Sequence, residues 1–231
     1  MKKDKPGCDL QTCMLCRLCL KEWTPAIDTH RKQLSFKKGA MLFREGDPVT
    51  GIYFVYSGSV KVHKHWGNDK ELIVRFAQKG DIVGHRGMGR EMVYPISATA
   101  LEPVTVCYVD LTFFQTSLQV NHGFLYELML FYAQELQESE MNMRNLAHMS
   151  VKGRIARALL QLQDKFGINA NGALQLQLTR QDLAGYTGAT YETVFRVMSE
   201  FVKEGLITVT AKEIAVTNVS GLLRLVKEAE L

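Results

Sequence analysis

The sequence predicts an α+β protein in which an all-β sandwich or roll and a long helix precede a small C-terminal helical domain. Three observations support this fold class. Short alternating apolar runs separated by glycine turns fill residues 34 to about 110, and a seven-residue apolar repeat begins near residue 120. A pattern of helix, tight turn, helix and hairpin then occupies the C-terminal third. We therefore divide the chain into residues 1–33, 34–119, 120–149 and 150–231.

Residues 34–119 carry the strand pattern. Two strands joined at Ser57-Gly58 are predicted from GIYFVYSGSVKVHKH, two more around Lys79-Gly80 from ELIVRFAQKGDIVG, and a final pair from ISATALEPVTVCYVDL. Strands of this length and spacing are typical of a β-sandwich or roll. His63 and His65 alternate on one strand and share a face. A metal pair is the alternative, but we expect this face to be exposed to solvent.

Residues 120–149 change to a helical period. Apolar side chains recur every seven residues, while charged residues such as Glu135 and Arg144 lie off the repeat. A helix that packed only on its own β-domain would also show an apolar face. The nearly strict heptad spacing favours a parallel homodimer instead. The predicted seam consists of Leu125, Met129, Tyr132, Leu136, Met143 and Leu146.

Residues 150–231 predict a winged helix-turn-helix domain. Thr179 with Asp182 three positions later is typical of a capped helix start, and Gly188 lies in the tight turn. Gly205 is placed to end the second helix, after which LITVT and EIAVT predict a small hairpin, the wing. This arrangement indicates binding to double-stranded DNA.

The second helix, predicted over residues 190–204, has one apolar and one polar side. Val194, Val197, Met198, Phe201 and Val202 should pack inward. On the polar side, Arg196 can donate two hydrogen bonds to guanine, and Glu192 can accept from cytosine or hold that arginine. The residues expected to contact DNA are Arg180, Thr190, Tyr191, Glu192, Arg196, Ser199 and Lys203.

Composition and charge exclude several classes. The 231 residues are 46% hydrophobic and 23% charged, with a net charge of +4, as in an ordinary globular protein. No apolar run approaches a membrane span and the N-terminus has no apolar signal core, so we expect a cytoplasmic protein without a membrane partner. No nucleophile–base pair or phosphate-binding glycine loop is present, which argues against an enzyme.

Four cysteines lie within twelve residues, in the segment CDLQTCMLCRLC. They are Cys8, Cys13, Cys16 and Cys19, and Cys107 is the remaining one. Residues 1–38 hold nine Lys/Arg against four Asp/Glu, and a positive field favours thiolate over thiol. In a reducing compartment such a cluster indicates metal or redox chemistry rather than structural disulfides. Residues 1–19 otherwise predict a poorly structured arm.

Two stretches resemble the Crp/Fnr regulators. The sequence FREGDPVTGIYFVYSGSVKV is similar to the β-roll of that family, and LTRQDLAGYTGATYETVFRVM to its helix-turn-helix. The resemblance implies a cyclic-nucleotide-binding-like jelly roll that senses an effector, a dimerisation helix, and a winged helix that reads a palindrome. It also implies a role in transcription together with RNA polymerase. Glu192 and Arg196 stand where family members read a G·C pair in each half-site.

The resemblance also bears on the effector. Cyclic-AMP-binding members hold their ligand with a glutamate and an Arg-Ser pair. Here His85 replaces the glutamate and Tyr94-Pro95 replace the Arg-Ser pair. These replacements argue against cyclic AMP. Fnr-type members hold a [4Fe–4S] cluster, and the matching ligands here are Cys13, Cys16, Cys19 and Cys107, with Cys8 as a substitute. Cys19 follows Cys16 after two residues where Fnr has five. Zinc or thiol chemistry in the arm remains an alternative. Another is haem-based sensing of nitric oxide or another small ligand through a histidine such as His63, His65 or His85.

Overall fold

A computed structural model describes residues 11–67 and 70–229 of the chain. Contacts divide it into two compact units, Met1–Lys64 with Val74–Leu136, and His65–Ile73 with Gln137–Leu231. Within the described ranges, none of the helices combines the length and the apolar character needed to cross a lipid bilayer. The predicted α+β class is confirmed, since an all-β region is followed by helices.

Two four-stranded sheets form the β-region. One sheet has the strand order β1-β8-β3-β6 and the other the order β2-β7-β4-β5, and the strand pairs with a described register are antiparallel. The predicted sandwich or roll is therefore confirmed. Its strands are β1 (Lys32–Phe36), β2 (Met41–Phe43), β3 (Gly51–Ser57), β4 (Val60–Trp66), β5 (Lys70–Ala77), β6 (Ile82–Val83), β7 (Ser97–Ala100) and β8 (Val104–Asp110).

Two of the predicted turns depend on glycine. Gly58 has a φ of +83°, and a Cβ atom there would lie 2.5 Å from the carbonyl oxygen of Pro103. Gly80 has a φ of +92°, and its Cβ would lie 2.8 Å from the carbonyl oxygen of Thr12. Both positions therefore need a residue without a side chain, for conformational and for steric reasons. The Gly80 turn also lies against the N-terminal segment.

One prediction about β4 is wrong. His63 is 1% exposed, although we expected the face it shares with His65 to meet solvent. Its Nε2 atom lies 2.8 Å from Oγ1 of Thr99 on β7, so a hydrogen bond compensates for the burial of the ring. His65, nearer the strand end, is exposed as predicted.

The N-terminal segment is structured from residue 11 onward, which corrects the prediction of a poorly structured arm for residues 11–19. It forms α1 (Met14–Leu18), a 3₁₀ turn (Lys21–Trp23) and α2 (Thr24–His30). Leu15 and Ile27 are both 1% exposed. The indole of Trp23 stacks on Phe113 at 5.8 Å and its Nε1 donates to Oγ of Ser117 at 3.0 Å. Burial of apolar side chains against the helix that carries Phe113 and Ser117 therefore holds this segment in place.

Two helices follow the β-region, α3 (Leu111–Val120) and α4 (His122–His148). The Asp110 side chain caps α3 by accepting from the backbone N–H of Phe113. α4 has 27 residues, which makes it about 40 Å long. Buried or half-buried side chains recur along its first half at helical spacing, which defines the roll-facing stripe as Phe124, Leu128, Phe131 and Glu135.

The second unit contains four further helices and a hairpin. Their bounds are α5 (Val151–Phe166), α6 (Arg180–Thr187), α7 (Tyr191–Lys203), β9 (Ile207–Thr210), β10 (Glu213–Val216) and α8 (Val219–Glu228). β9 and β10 pair antiparallel through a turn that contains Ala211, as predicted for the wing. The fully buried side chains at the centre of this unit include Ile155, Leu159, Leu183, Val194, Phe201 and Leu222.

The predicted start of α6 is confirmed as a capping box. The backbone N–H of Asp182 donates to Thr179 Oγ1 at 3.0 Å, and that of Thr179 donates to an Asp182 carboxylate oxygen at 3.1 Å. Two backbone donors that helix geometry leaves unpaired are thereby satisfied.

We predict that Thr179→Ala lowers the free energy of unfolding by about 1 kcal/mol, because the cap on Asp182 is lost. Thr179→Ser is the matched control, since it keeps the hydroxyl, and it should stay close to the wild type. Urea denaturation followed by circular dichroism measures both variants. Equal stability of Thr179→Ala and the wild type would contradict the assigned role of the cap.

Candidate functional site

The helix-turn-helix is formed by α6 and α7. Gly188, which follows α6, has a φ of +60°, the left-handed conformation that a tight turn requires. Thr190 caps α7 by accepting from the backbone N–H of Thr193 at 3.2 Å. Gly205, directly after the C-cap Glu204, has a φ of +67°. The turn and the ends of α7 thus agree with the sequence.

The inward face of α7 is narrower than predicted. Val194, Val197, Met198 and Phe201 are buried as expected, whereas Val202 is 45% exposed. The inward assignment of Val202 is therefore wrong. The reason is that α5, α6 and β9, which contact α7, cover a smaller arc of the helix than its apolar residues span.

The polar face of α7 is accessible. Glu192, Arg196 and Lys203 are exposed, and the Arg196 side chain retains 72% of its accessible surface. Its Nη1 atom lies 3.9 Å from a carboxylate oxygen of Glu200, so Glu200 rather than Glu192 is its ion-pair partner. An exposed i,i+4 pair of this kind is weak and leaves the guanidinium available to another acceptor.

Two further predicted DNA contacts have intramolecular partners. The Ser199 hydroxyl donates to the backbone carbonyl of Phe195 at 2.9 Å. The guanidinium of Arg180, the first residue of α6, lies 5.2 Å from the centre of the Phe195 ring. The Phe195 side chain is 50% exposed beside Arg196. The sequence signal for this exposure is that an aromatic residue lies directly beside Arg196 on the polar side of α7.

The cysteines predicted as ligands converge on one buried region. Cys13, Cys16, Cys19 and Cys107 are each at most 9% exposed and belong to a single apolar cluster in the first unit. None of these four forms a disulfide. Cys107 lies on β8, opposite Phe54 of β3, while the other three lie on or beside α1. Cys8 lies outside the described residues.

A small pocket is lined by cysteines from the N-terminal segment and from β8. Cys13 and Cys107 both line it, so the N-terminal segment and β8 meet at one place. The remaining lining residues are Thr12, Phe54, Val55, Tyr56 and Lys79.

Burial changes the chemistry of the thiols. The pKa of Cys19 rises to about 12, first because its thiol is buried and second because Cys13 is nearby. For Cys19 this is the opposite of the thiolate expected from the basic N-terminal segment. A metal that binds there must displace a proton, because thiolate is the coordinating form.

The donor set of four buried cysteine sulfurs fits an iron–sulfur cluster. Among the described residues, no three cysteine sulfurs lie within 4.8 Å of one another. Four sulfur donors in an apolar, buried setting suit a cluster, whose separate irons space the thiolates more widely.

The predicted histidine sites are already engaged. Nε2 of His85 lies 2.8 Å from a carboxylate oxygen of Glu135, and Nε2 of His63 is paired with Thr99. Tyr94 is 2% exposed, stacks on Phe43 at 4.1 Å and donates its hydroxyl to the Gly51 carbonyl at 2.7 Å. These positions therefore serve the interior of the β-region in the described structure.

Glu135 is a buried carboxylate with several hydrogen-bond partners. It accepts hydrogen bonds from Arg75 and from Arg86, the latter at 3.0 Å, besides the one from His85. Burial alone would raise the pKa of Glu135, but the His85 hydrogen bond and the charges of Arg75 and Arg86 outweigh it and hold the pKa well below its usual range. Burial lowers the pKa of His85, which keeps its ring neutral. The sequence showed Glu135 only as a charge off the heptad seam.

The seam residues of α4 are mostly exposed in the single chain. Tyr132 is the exception, since it is half-buried and its hydroxyl donates to the His85 carbonyl at 2.5 Å. The other five have exposed fractions between 37% and 60%, and they are Leu125, Met129, Leu136, Met143 and Leu146.

Comparison with known proteins matches both the β-region and the helix-turn-helix to known domains. Residues 33–121 match the cyclic nucleotide-binding domain, and residues 153–225 match the Crp-like helix-turn-helix domain. The chain is 30% identical over 217 residues to the transcriptional activator protein Anr of Pseudomonas aeruginosa, which covers 90% of this chain and 88% of that protein. The chain belongs to the Crp/Fnr family. It is thus a DNA-binding transcriptional regulator of the Crp/Fnr type and not an enzyme.

A further relative and a solved structure are similar to the chain. It is 30% identical over 193 residues to the anaerobic regulatory protein of Bacillus subtilis, with 82% of this chain and 80% of that protein covered. The structure of FixK2 from Bradyrhizobium japonicum superposes with a TM-score of 0.76 at 24% identity, over 84% of this chain and 96% of that one. The FixK2 similarity supports the Crp/Fnr fold.

Proposed function

We propose that the protein is a homodimeric regulator that binds a palindromic DNA site and responds to oxygen or redox state through a cysteine-bound [4Fe–4S] cluster. The observation that carries the sensing proposal is the burial of Cys13, Cys16 and Cys19 in one apolar cluster with the distant Cys107. Relatives named for anaerobic regulation and transcriptional activation support it. A regulator of that kind would also contact RNA polymerase.

The cluster would be held by Cys13, Cys16, Cys19 and Cys107. When bound, an iron–sulfur cluster supplies a redox-active and oxygen-sensitive centre. The chain's own contribution is to hold three thiols on the N-terminal segment and one on β8, and to exclude water from them. Loss of the shared ligation would remove one of the connections between the N-terminal segment and β8.

The same apolar cluster offers a route to α4. Phe124 and Leu128 from the roll-facing stripe pack in it together with the four cysteines. A change in how the cysteines are held would therefore alter the packing of the first half of α4. In a dimer built on the adjacent seam, that change would reach both chains through a two-state element.

The dimer proposal rests on the exposed seam. Five apolar side chains of moderate to high exposure at heptad spacing are costly for an isolated helix, and a second α4 would bury them. On DNA, the proposed base contacts are Arg196 with guanine and Glu192 with cytosine, supported by their exposure near the start of α7. Flanking contacts would come from Arg180, Thr190, Tyr191, Ser199 and Lys203.

We predict that Leu136→Asp converts the dimer to a monomer, because two carboxylates would meet at the centre of the seam. Sedimentation velocity measures the change. Glu127→Gln, an exposed position on the same helix, is the control and should remain dimeric. A dimeric Leu136→Asp protein would show that the seam is assigned to the wrong face.

Arg196→Ala should weaken binding to a palindromic site by about 1–3 kcal/mol and relax the preference at one base pair in each half-site. Selection from randomised DNA, followed by titration of the preferred sites, measures affinity and preference together. Lys203→Ala is the comparison variant. If Arg196→Ala lowered affinity equally for every sequence, its contact would be with phosphate instead.

Anaerobic reconstitution of the wild type should give about four irons per chain and a visible iron–sulfur spectrum. Cys107→Ala should lose both, because one thiolate ligand is missing, whereas Cys8→Ala should keep them. Val109→Ala, which removes bulk from the same apolar cluster, controls for packing.

Retention of iron by Cys107→Ala together with its loss in Cys8→Ala would confine the metal site to the N-terminal segment. A zinc-loaded or metal-free wild type would instead favour the zinc or thiol alternative. A haem spectrum would favour sensing through a histidine.

A further inference from the structure

Three donor side chains, two guanidinium groups and one imidazole, surround the Glu135 carboxylate, and all of them come from the β-region. Arg75 lies on β5, and His85 and Arg86 lie on the 3₁₀ turn His85–Gly87. Glu135 comes from α4, outside residues 33–121 that match the cyclic nucleotide-binding domain. The donors thus belong to the roll and the acceptor belongs to the helix that crosses it.

The contacts use both carboxylate oxygens. Oε1 accepts from Nη1 of Arg75, while Oε2 accepts from Nε2 of His85 at 2.8 Å and from Nε of Arg86 at 3.0 Å. A second donor of Arg75, Nη2, binds the Ile82 carbonyl at 2.7 Å and orients the guanidinium. This is how a protein holds a small bound anion, with charged donors converging on its oxygens.

The surroundings make this an interior site and not a surface ion pair. Glu135 is 8% exposed and His85 is 2% exposed. The rings of Phe131 and Tyr132 approach His85 at 5.2 and 5.3 Å, and the Arg75 guanidinium lies 5.7 Å from the centre of the Phe131 ring. In such a setting, removing one partner leaves an uncompensated buried charge.

Charge and hydrogen bonding both leave a surplus of donors. With His85 neutral, two guanidinium groups face one carboxylate, so the group carries one net positive charge. Nε of Arg75 is buried and has no hydrogen-bond partner among the described residues.

We propose that Arg75, His85 and Arg86 form an anion-binding site in the β-roll, and that its ligand is the chain's own Glu135 carboxylate. The roll thereby holds α4 with a charge that is built into the protein, without a bound small molecule. An external carboxylate or phosphate binds this site only after Glu135 leaves it. The proposal does not depend on cluster binding or on DNA recognition, because it concerns the metal-free chain.

The test is rescue of a Glu135→Ala variant by a free carboxylate. The melting temperature of the metal-free variant is measured with increasing sodium acetate at ionic strength held constant with sodium chloride. We expect Glu135→Ala to melt several degrees below the wild type, and acetate to raise its melting temperature by at least about 4 °C in a saturable manner. The wild type, whose site is filled, should show no saturable rise.

Two variants show where the acetate acts. Arg86→Ala combined with Glu135→Ala should lose the rescue, because one of the donors is gone. Glu127→Gln, on the exposed side of α4, should behave as the wild type does. Equal acetate responses of Glu135→Ala and the wild type would overturn the anion site and leave Glu135 as an ordinary buried ion pair.

A second comparison holds even if Glu135→Ala does not fold. Glu135→Asp keeps the negative charge on a shorter side chain, whereas Glu135→Gln keeps the shape and removes the charge. An anion site predicts that the Asp variant melts at the higher temperature. If the Gln variant melted higher, shape and not charge would hold α4, and the proposal would be wrong.

Discussion

The carboxylate of Glu135 is the constraint around which the first half of α4 is arranged. Its partners Arg75, His85 and Arg86 are fixed to the roll, so one side of the helix must face them. The residues at helical spacing before Glu135, Phe131, Leu128 and Phe124, complete the roll-facing stripe. Each seam residue from Leu125 to Leu136 follows a stripe residue by one position, a rotation of about 100°. The paired Glu135 carboxylate on one face of α4 therefore determines which apolar side chains lie on the adjacent face.

The cysteine-rich segment depends on the same part of the molecule. Its thiols are buried among side chains of β3, β8, α3 and α4, and burial favours the neutral thiol, as the raised pKa of Cys19 indicates. Coordination would exchange protons for metal at the centre of this packing. A change in this packing would also affect Phe124 and Leu128 on α4, which belong to the same apolar cluster. A sensing site placed here would be in contact with α4 through packed side chains, whereas a site on a flexible arm would not.

Sequence patterns were most reliable where the controlling interaction is local. The capping box of Thr179 and Asp182, the turn at Gly188 and the wing all follow from contacts within a few residues. The predictions failed where distant residues decide. Val202 was assigned to the core because a helical wheel does not show how wide an arc its neighbours cover. His63 was assigned to solvent because the hydrogen bond that stabilises its burial comes from Thr99, 36 residues away.

By itself, the sequence determined the α+β order of elements and the winged helix-turn-helix, and it predicted the heptad seam and the candidate cysteine ligands, since each is a periodic or closely spaced pattern. Only the tertiary structure decided that the N-terminal segment packs as helices and that Cys107 lies with Cys13 at one pocket. It also decided that Glu135 is buried among three hydrogen-bond donors, Arg75, His85 and Arg86, which precede it by 49 to 60 residues. The physical reason is that burial and charge pairing depend on which surfaces meet. That depends on contacts between distant residues, which no local period of the chain encodes.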